Sequence, residues 1–331
     1  MTSDAGAVAT ALEPQNASTT AMRELASALL VGRDGVQDVK AGVGWLTRAG
    51  NLGDSEALER LATVTAVGVI APPDWGAALD LLQKAAELGS VRAQNQMRLL
   101  AKAEQGNIGG WADLRASVDV DSWVSPPARR PLAEAPRVRL AEEFMPPSVC
   151  DWLIERARGR LRPGLMYDGA TKTAQVDPHR TCSDYQFDII NTDLIVQIVR
   201  ERIAAATRLP TAFMEPPRIF HYALGEDIKA HFDRAGDSVS GYGDSGYRGD
   251  RVATFLLYLN DDYDGGDLAF PRTGLQCKGA KGDGIYFAHV NTGGEQEPLS
   301  LHAGLVVTRG EKWVMSQWIH DRPFGAAESH A

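Results

Sequence analysis

Apolar residues change their rhythm near residue 218. Upstream they recur at three- and four-residue intervals. DLIVQIVRERIAAATRL (193–209) places Leu194, Ile195, Ile198, Ile203 and Leu209 on helical spacing. FMPPSVCDWLIERARGRL (144–161) does the same with Trp152, Leu153, Ala157 and Leu161 after a Pro-Pro start signal. Downstream, IFHYAL, VATFLLYLN, DLAF, LQCK, GIYFAHV, LSLHAGLVV and KWVMSQWIH are short, apolar and rich in β-branched and aromatic residues, with Gly, Pro and Asp between them. Two helices followed by seven or eight short strands predict an α+β domain built as a β-sandwich or jelly roll.

Residues 21–105 obey a different rule, a repeat. Overlaying WLTRAGNLGDSEAL on LLQKAAELGSVRAQ pairs Ala49 with Ala85, Leu52 with Leu88, Gly53 with Gly89 and Ala57 with Ala93, always 36 residues apart. The same offset extends back through Leu25/Leu61, Ala26/Ala62, Gly32/Gly68, Ala41/Ala77 and Leu46/Leu82. Such a period, with small residues where helices cross, is the mark of an α-solenoid of helix pairs. The pattern resembles Sel1-like repeats, relatives of the tetratricopeptide family, and that resemblance implies a protein partner. A cap that only buttresses the next domain is an equal alternative, because two repeats offer little concave surface. Gly-Gly and Pro-Pro in residues 106–135 predict a linker. The expected organisation is a disordered tail at 1–20, an all-α repeat domain at 21–105, that linker, and the α+β domain at 136–325.

Composition adds exclusions. The 331 residues carry a formal net charge of −9, which argues against a general affinity for nucleic acid or anionic membrane. Three scattered cysteines, Cys150, Cys182 and Cys277, fit a reduced interior. The N-terminus lacks a basic stretch followed by an apolar run, and no segment approaches 18 uninterrupted apolar residues. The cytoplasm is therefore the expected location.

The chemistry begins with His231-Phe232-Asp233. Alone, such a tripeptide carries little weight. Here it follows a strand-like segment at 218–224 and precedes a Gly/Asp/Ser-rich loop whose residues 234–250 have the composition of a lid. Side chains at i and i+2 of an extended segment project to one side and can share one ion. Two histidines and a carboxylate on one face of Fe(II) leave three coordination positions open, the arrangement of non-haem iron oxygenases. His289 and His302 are both candidates for the distal ligand. Ten residues past His289 lies Leu299; ten past His302 lies Lys312. A lysine inside a strand is costly to bury without an anion, and a dicarboxylate co-substrate supplies one. His302 is therefore the expected ligand, with 302 and 312 on one side of a hairpin turned near Gly310, and His289 is expected to make a core hydrogen bond to a carbonyl. Gly265-Gly266 reads as turn chemistry, since no helix follows it.

From about 137 to 325 the chain resembles the prolyl 4-hydroxylase branch of the Fe(II)/2-oxoglutarate dioxygenases. The stretches that carry the resemblance are HRTCSDYQF, PPRIFHYALGEDIKAHFD, RVATFLLYLNDDYDGGDLAFP, GDGIYFAHV and SLHAGLVVTRGEKWVMSQWIH. It implies a double-stranded β-helix (jelly roll) with flanking helices, Fe(II) on His231, Asp233 and His302, and Lys312 on the far carboxylate of 2-oxoglutarate. Tyr222 and Tyr258 would contact 2-oxoglutarate, Trp318 would line the site, and Arg180 would lie near a peptide substrate. O2 is then the second co-substrate and ascorbate the expected reductant. The implied reaction hydroxylates a prolyl residue of a peptide or protein and releases succinate and CO2. The alternatives are a hydroxylase of a free amino acid or small metabolite, or a turnover-deficient binding or sensor protein acting through its repeats. Ile228 and Ala230 stand where the family has an aromatic residue and a proline, and Thr181-Cys182 where Thr-Ser is usual. These changes bear on the substrate rather than on the metal.

Overall fold

Each helix of the first third carries its own start and stop. The structure, a computed structural model, describes residues 17–103 except 34 and 36, 109–168, 173–176, 180–233 and 249–324. The expected tail up to residue 16 and most of the expected lid at 234–250 lie outside the described residues. Helices α1 (Thr19–Val31), α2 (Val39–Asn51), α3 (Ser55–Val67), α4 (Trp75–Glu87) and α5 (Val91–Leu100) follow one another. Ser18, Asp38, Asp54, Asp74 and Ser90 cap them, each side chain accepting the backbone N–H three residues on.

The 36-residue offset reappears in three dimensions. Asp38 and Asp74 start equivalent helices, while Ala26/Ala62, Leu46/Leu82, Ala49/Ala85 and Ala57/Ala93 are all buried. Small residues are needed where backbones approach: a Cβ added to Gly42 would stand 2.9 Å from Leu30 Cγ. No helix among the described residues is long and apolar enough to cross a membrane.

The stretch 106–135 is not the bare linker its glycines and prolines predict. It contains α6 (Trp111–Ser117), α7 (Val120–Val124) and β1 (Arg130–Glu134). Gly110 caps α6, its N–H donating to Asp113 at 3.0 Å. Trp123 is buried, with its indole N–H on the Leu100 carbonyl at 2.8 Å. A buried, hydrogen-bonded tryptophan contributes against the chain entropy of ordering such a segment. By internal contacts the chain forms two units, Met1–Trp123 with Asp188–Ile198, and Val124–Phe187 with Val199–Ala331.

The second unit contains α8 (Pro147–Ala157) and most of α9 (Leu194–Thr207), both foreseen from their periodicity, and the strands. After β1 these are β2 (Arg137–Ala141), β3 (Arg162–Pro163), β4 (Leu165–Asp168), β5 (Thr173–Val176), β6 (Ser183–Gln186), β7 (Arg218–Tyr222) and β8 (Ile228–His231). There follow β9 (Arg251–Tyr258), β10 (Asp264–Gly265), β11 (Leu268–Phe270), β12 (Leu275–Cys277) and β13 (Gly284–Ala288). The last are β14 (His302–Gly304), β15 (Val307–Arg309) and β16 (Lys312–His320).

An eight-stranded sheet runs β1-β2-β13-β9-β16-β7-β6-β3 and a four-stranded one β12-β11-β14-β8, with short pairs β4-β5 and β10-β15. Apolar side chains of both sheets meet in one core, Val138, Ile285 and Phe287 from the large sheet with Leu268 and Phe270 from the small one. This is a jelly-roll arrangement of antiparallel strands. β16 lies between β9 and β7, and all nine of its residues are buried.

One expectation about strand layout fails. LSLHAGLVV forms two strands, not one, and His302 and Lys312 do not share a hairpin face. β14 belongs to the small sheet, β15 pairs with β10, and β16 belongs to the large sheet. Gly310, with φ +71°, makes the turn into β16 at a place where a Cβ would stand 2.8 Å from the Asp262 carbonyl oxygen. The two side chains nevertheless line one cavity, from opposite sheets.

Candidate active site

Strand register creates the site. In the small sheet His302 of β14 is the direct cross-strand partner of His231 of β8, and their ring centroids are 4.4 Å apart. Asp233 lies two residues past His231, just beyond the strand end. His231 Nε2 is 3.5 Å from Asp233 Oδ1, and His302 Nε2 is 3.6 Å from Oδ2. One donor atom from each of the three residues falls within 4.8 Å of the others. That is the span across which a single cation is shared, and the donor set of two imidazoles and a carboxylate suits iron(II).

Hydrogen bonds orient both rings. His231 Nδ1 is 2.8 Å from the Lys229 carbonyl oxygen, and His302 Nδ1 is 3.0 Å from that of Ser300. A carbonyl only accepts, so each Nδ1 carries a proton and each Nε2 is the nitrogen turned toward Asp233. Burial pushes the His302 pKa down to about 4, against the pull of Asp233, so the ring is neutral and able to ligate near neutral pH. His231 is more open. Burial lowers its pKa too, but the hydrogen bond and charge of Asp233 outweigh it and raise the net value. Burial works against the Asp233 carboxylate, yet the imidazoles of His302, His231 and His289 around it hold its pKa well below the usual range.

The cavity facing these groups holds about 470 Å³ including its mouth. Tyr222, Leu256, Leu268, Phe287, Lys312 and Val314 form walls, with Ser316, Trp318, Ile228 and Arg180 also lining it. Lys312 is 3% exposed. Its Nζ donates to the Gly266 carbonyl at 2.6 Å and lies 4.9 Å from the Tyr222 ring centre and 5.6 Å from that of Tyr258. Burial lowers its pKa to about 8. Desolvation favours the neutral amine, and an anion bound beside it would favour the ammonium.

Not every expected residue reaches the cavity. Tyr222, Trp318 and Arg180 line it; Tyr258 is fully buried and does not, although its hydroxyl has no partner. Arg180 lies over the Phe220 ring at 4.4 Å, and its Nε is buried without a partner. Gly265-Gly266 does more than turn the chain. Both residues have positive φ, and the Gly266 carbonyl anchors Lys312.

His289 departs from its expected role. It makes no core bond to a carbonyl through its side chain. Its Nε2 instead meets the Thr254 hydroxyl at 2.7 Å and lies 3.4 Å from Asp233 Oδ2. The reason is register: β13 pairs with β9, and the His289 N–H donates to the Val252 carbonyl at 2.8 Å, so its side chain faces that of Thr254. Sequence reasoning also missed the buried Glu215, which takes Arg251 Nη2 at 3.0 Å and His320 Nε2 at 2.6 Å. Arg251 in turn donates to the Asp233 carbonyl at 3.4 Å and covers Trp318 at 4.0 Å. Only the acid and base alternating with apolar residues hinted at this network.

Residues 217–320 match the 2OG-Fe(II) oxygenase superfamily. The chain is 31% identical over 220 residues to probable prolyl 4-hydroxylase 6 of Arabidopsis thaliana, covering 61% of this chain and 75% of that protein. Among solved structures, the viral collagen prolyl hydroxylase of Paramecium Bursaria Chlorella virus-1 superposes with a TM-score of 0.42 at 22% identity, over 55% of this chain and 95% of that one. A Sel1 repeat protein from Oxalobacter formigenes superposes with a TM-score of 0.25 at 19% identity, over 32% of this chain and 46% of that one.

Proposed function

This chain belongs to the prolyl 4-hydroxylase family of 2-oxoglutarate- and Fe(II)-dependent oxygenases, and on that premise we propose that it hydroxylates a prolyl residue of a peptide or protein, releasing succinate and CO2. The observation that carries the reading is the meeting of His231, Asp233 and His302 with the buried Lys312 around one cavity.

In this reading His231, Asp233 and His302 hold Fe(II) through the Nε2 atoms and the carboxylate. Bound iron, with 2-oxoglutarate and O2, supplies the oxidation of an unactivated C–H bond. The protein's own groups bind, orient and exclude. Lys312 has three donors and spends one on Gly266, leaving two for the far carboxylate of the co-substrate. Tyr222 adds a hydroxyl on the same wall, whereas Tyr258, buried behind it, does not line the cavity. Leu256, Leu268, Phe287 and Val314 keep water from the reacting centre. Arg180, which also lines the cavity, meets the peptide, and Trp318 lines the co-substrate's place. Ascorbate serves as reductant, the helical repeats dock a protein partner, and the protein works in the cytoplasm. The intact ligand set and buried Lys312 leave a turnover-deficient sensor without support.

The test uses full-length protein with Fe(II), ascorbate, O2, 2-oxoglutarate and a library of proline-bearing peptides. Peptide-dependent succinate and a mass gain of one oxygen on proline are expected. Succinate release stimulated by free amino acids and by no peptide overturns the substrate assignment.

A further inference from the structure

We propose that Thr254 and His289 act as a positioning pair for Asp233, holding its Oδ2 so that the carboxylate offers the metal one oxygen. The inference rests on the metal-binding reading above and extends it to two residues that are not ligands.

Two short contacts define the pair. Thr254 Oγ1 lies 2.6 Å from Asp233 Oδ2 and 2.7 Å from His289 Nε2, and all three residues are buried. The protons can be counted. An ionised carboxylate has none, and the threonine hydroxyl has one, which goes to Oδ2. The hydroxyl must therefore accept from His289, so Nε2 bears the hydrogen. Its other ring nitrogen, Nδ1, is buried without any partner. A nitrogen that donates to Thr254 has no lone pair for a metal. His289, though it sits 3.4 Å from Asp233 Oδ2, is thereby excluded as a fourth ligand.

The consequence falls on Asp233. Oδ2 is engaged by the hydroxyl, while Oδ1 faces His231 Nε2 at 3.5 Å. A carboxylate binding through both oxygens would occupy a coordination position that the facial arrangement keeps for reactants. Hydrogen bonds to a ligating group from outside the coordination sphere commonly set metal affinity by about 10–100-fold. His289 also carries a cost that the fold does not require. An unpartnered buried polar atom is destabilising, so an apolar ring of similar shape, which removes it, offsets the loss of the bond to Thr254.

That separation gives the test. Full-length protein is titrated with Co(II) without oxygen, reading affinity and the visible absorption of the bound ion. Wild type is expected to bind. Thr254→Val should weaken binding about 10–100-fold and shift the spectrum, while Thr254→Ser, which keeps the hydroxyl, should remain close to wild type. His289→Phe retains a ring beside Phe287, whose centroid is 5.2 Å away. It should weaken cobalt binding while leaving the thermal midpoint unchanged or higher. The double variant should bind no more weakly than Thr254→Val alone.

Cobalt binding and spectra unchanged in His289→Phe and Thr254→Val overturn the pair, as does lower stability with unchanged affinity. If Thr254→Val does not fold, His289→Phe decides alone. Wild type that fails to bind cobalt overturns the metal reading itself, and the pair with it. Failure to hydroxylate peptides, with cobalt binding intact, touches only the substrate.

Discussion

His231 and His302 face each other across a single antiparallel strand pair, although 71 residues separate them in the chain. That pairing makes one ligand site from two distant segments. His302→Ala should therefore lower metal affinity by more than about 100-fold, beyond the effect of outer groups. Metal titration read by calorimetry checks it; retention of affinity would mean that the distal ligand is elsewhere.

Lys312 should matter for the co-substrate and not for the metal. Truncating one partner of a buried charge pair costs about 2–5 kcal/mol, which is about 30-fold or more in affinity. Lys312→Ala should raise the KM for 2-oxoglutarate accordingly and leave cobalt binding near wild type. Steady-state kinetics beside a metal titration separates the two.

The same lysine predicts a pH dependence. Burial lowers its pKa to about 8, so its ammonium is present below that value and lost above it. Only the charged form pairs with a carboxylate. The ratio kcat/KM for 2-oxoglutarate, which reports the free enzyme, should fall as pH rises through about 8. A flat profile from pH 7 to about 9 would show that Lys312 stays charged without its anion.

Glu215 should be a stability residue. Burial alone would raise its pKa, but the His320 hydrogen bond and Arg251 outweigh it and lower the value below 4.5. The stability it contributes is then present above about pH 4.5 and lost as pH falls through the folded value. Glu215→Ala removes the carboxylate that Arg251 and His320 share, and breaking a buried pair costs about 3–5 kcal/mol. Chemical denaturation at pH 7 and pH 4 should show the variant's deficit shrinking at the lower pH.

In the repeat region, Asp74 accepts the Ala77 N–H at 2.9 Å at the start of α4. Asp74→Ala should cost about 1 kcal/mol, seen as a lower denaturation midpoint with metal affinity untouched.

Much of this was legible before any coordinates. Helix periodicity placed α8 and α9, and strand-like composition placed β7, β9, β11, β12, β13 and β16. The 36-residue echo located the repeat helices, because small residues at equal spacing mark where helices cross. Local chemistry misled where tertiary anchors override it. Gly-Gly and Pro-Pro between 106 and 135 look like a linker until Trp123 finds the Leu100 carbonyl.

Donor types and their order are written along the chain: His231 and Asp233 two apart, His302 far downstream, Lys312 ten beyond. They are legible there because ligand chemistry is a property of side chains and an i, i+2 spacing is a property of extended backbone. Which atoms meet is settled by the folded arrangement. It set Lys312 across the cavity from His302 instead of beside it, put the Gly266 carbonyl on the lysine, and turned His289 to Thr254 and Asp233. Register between strands made those choices, and register depends on how two sheets bury their inner faces together.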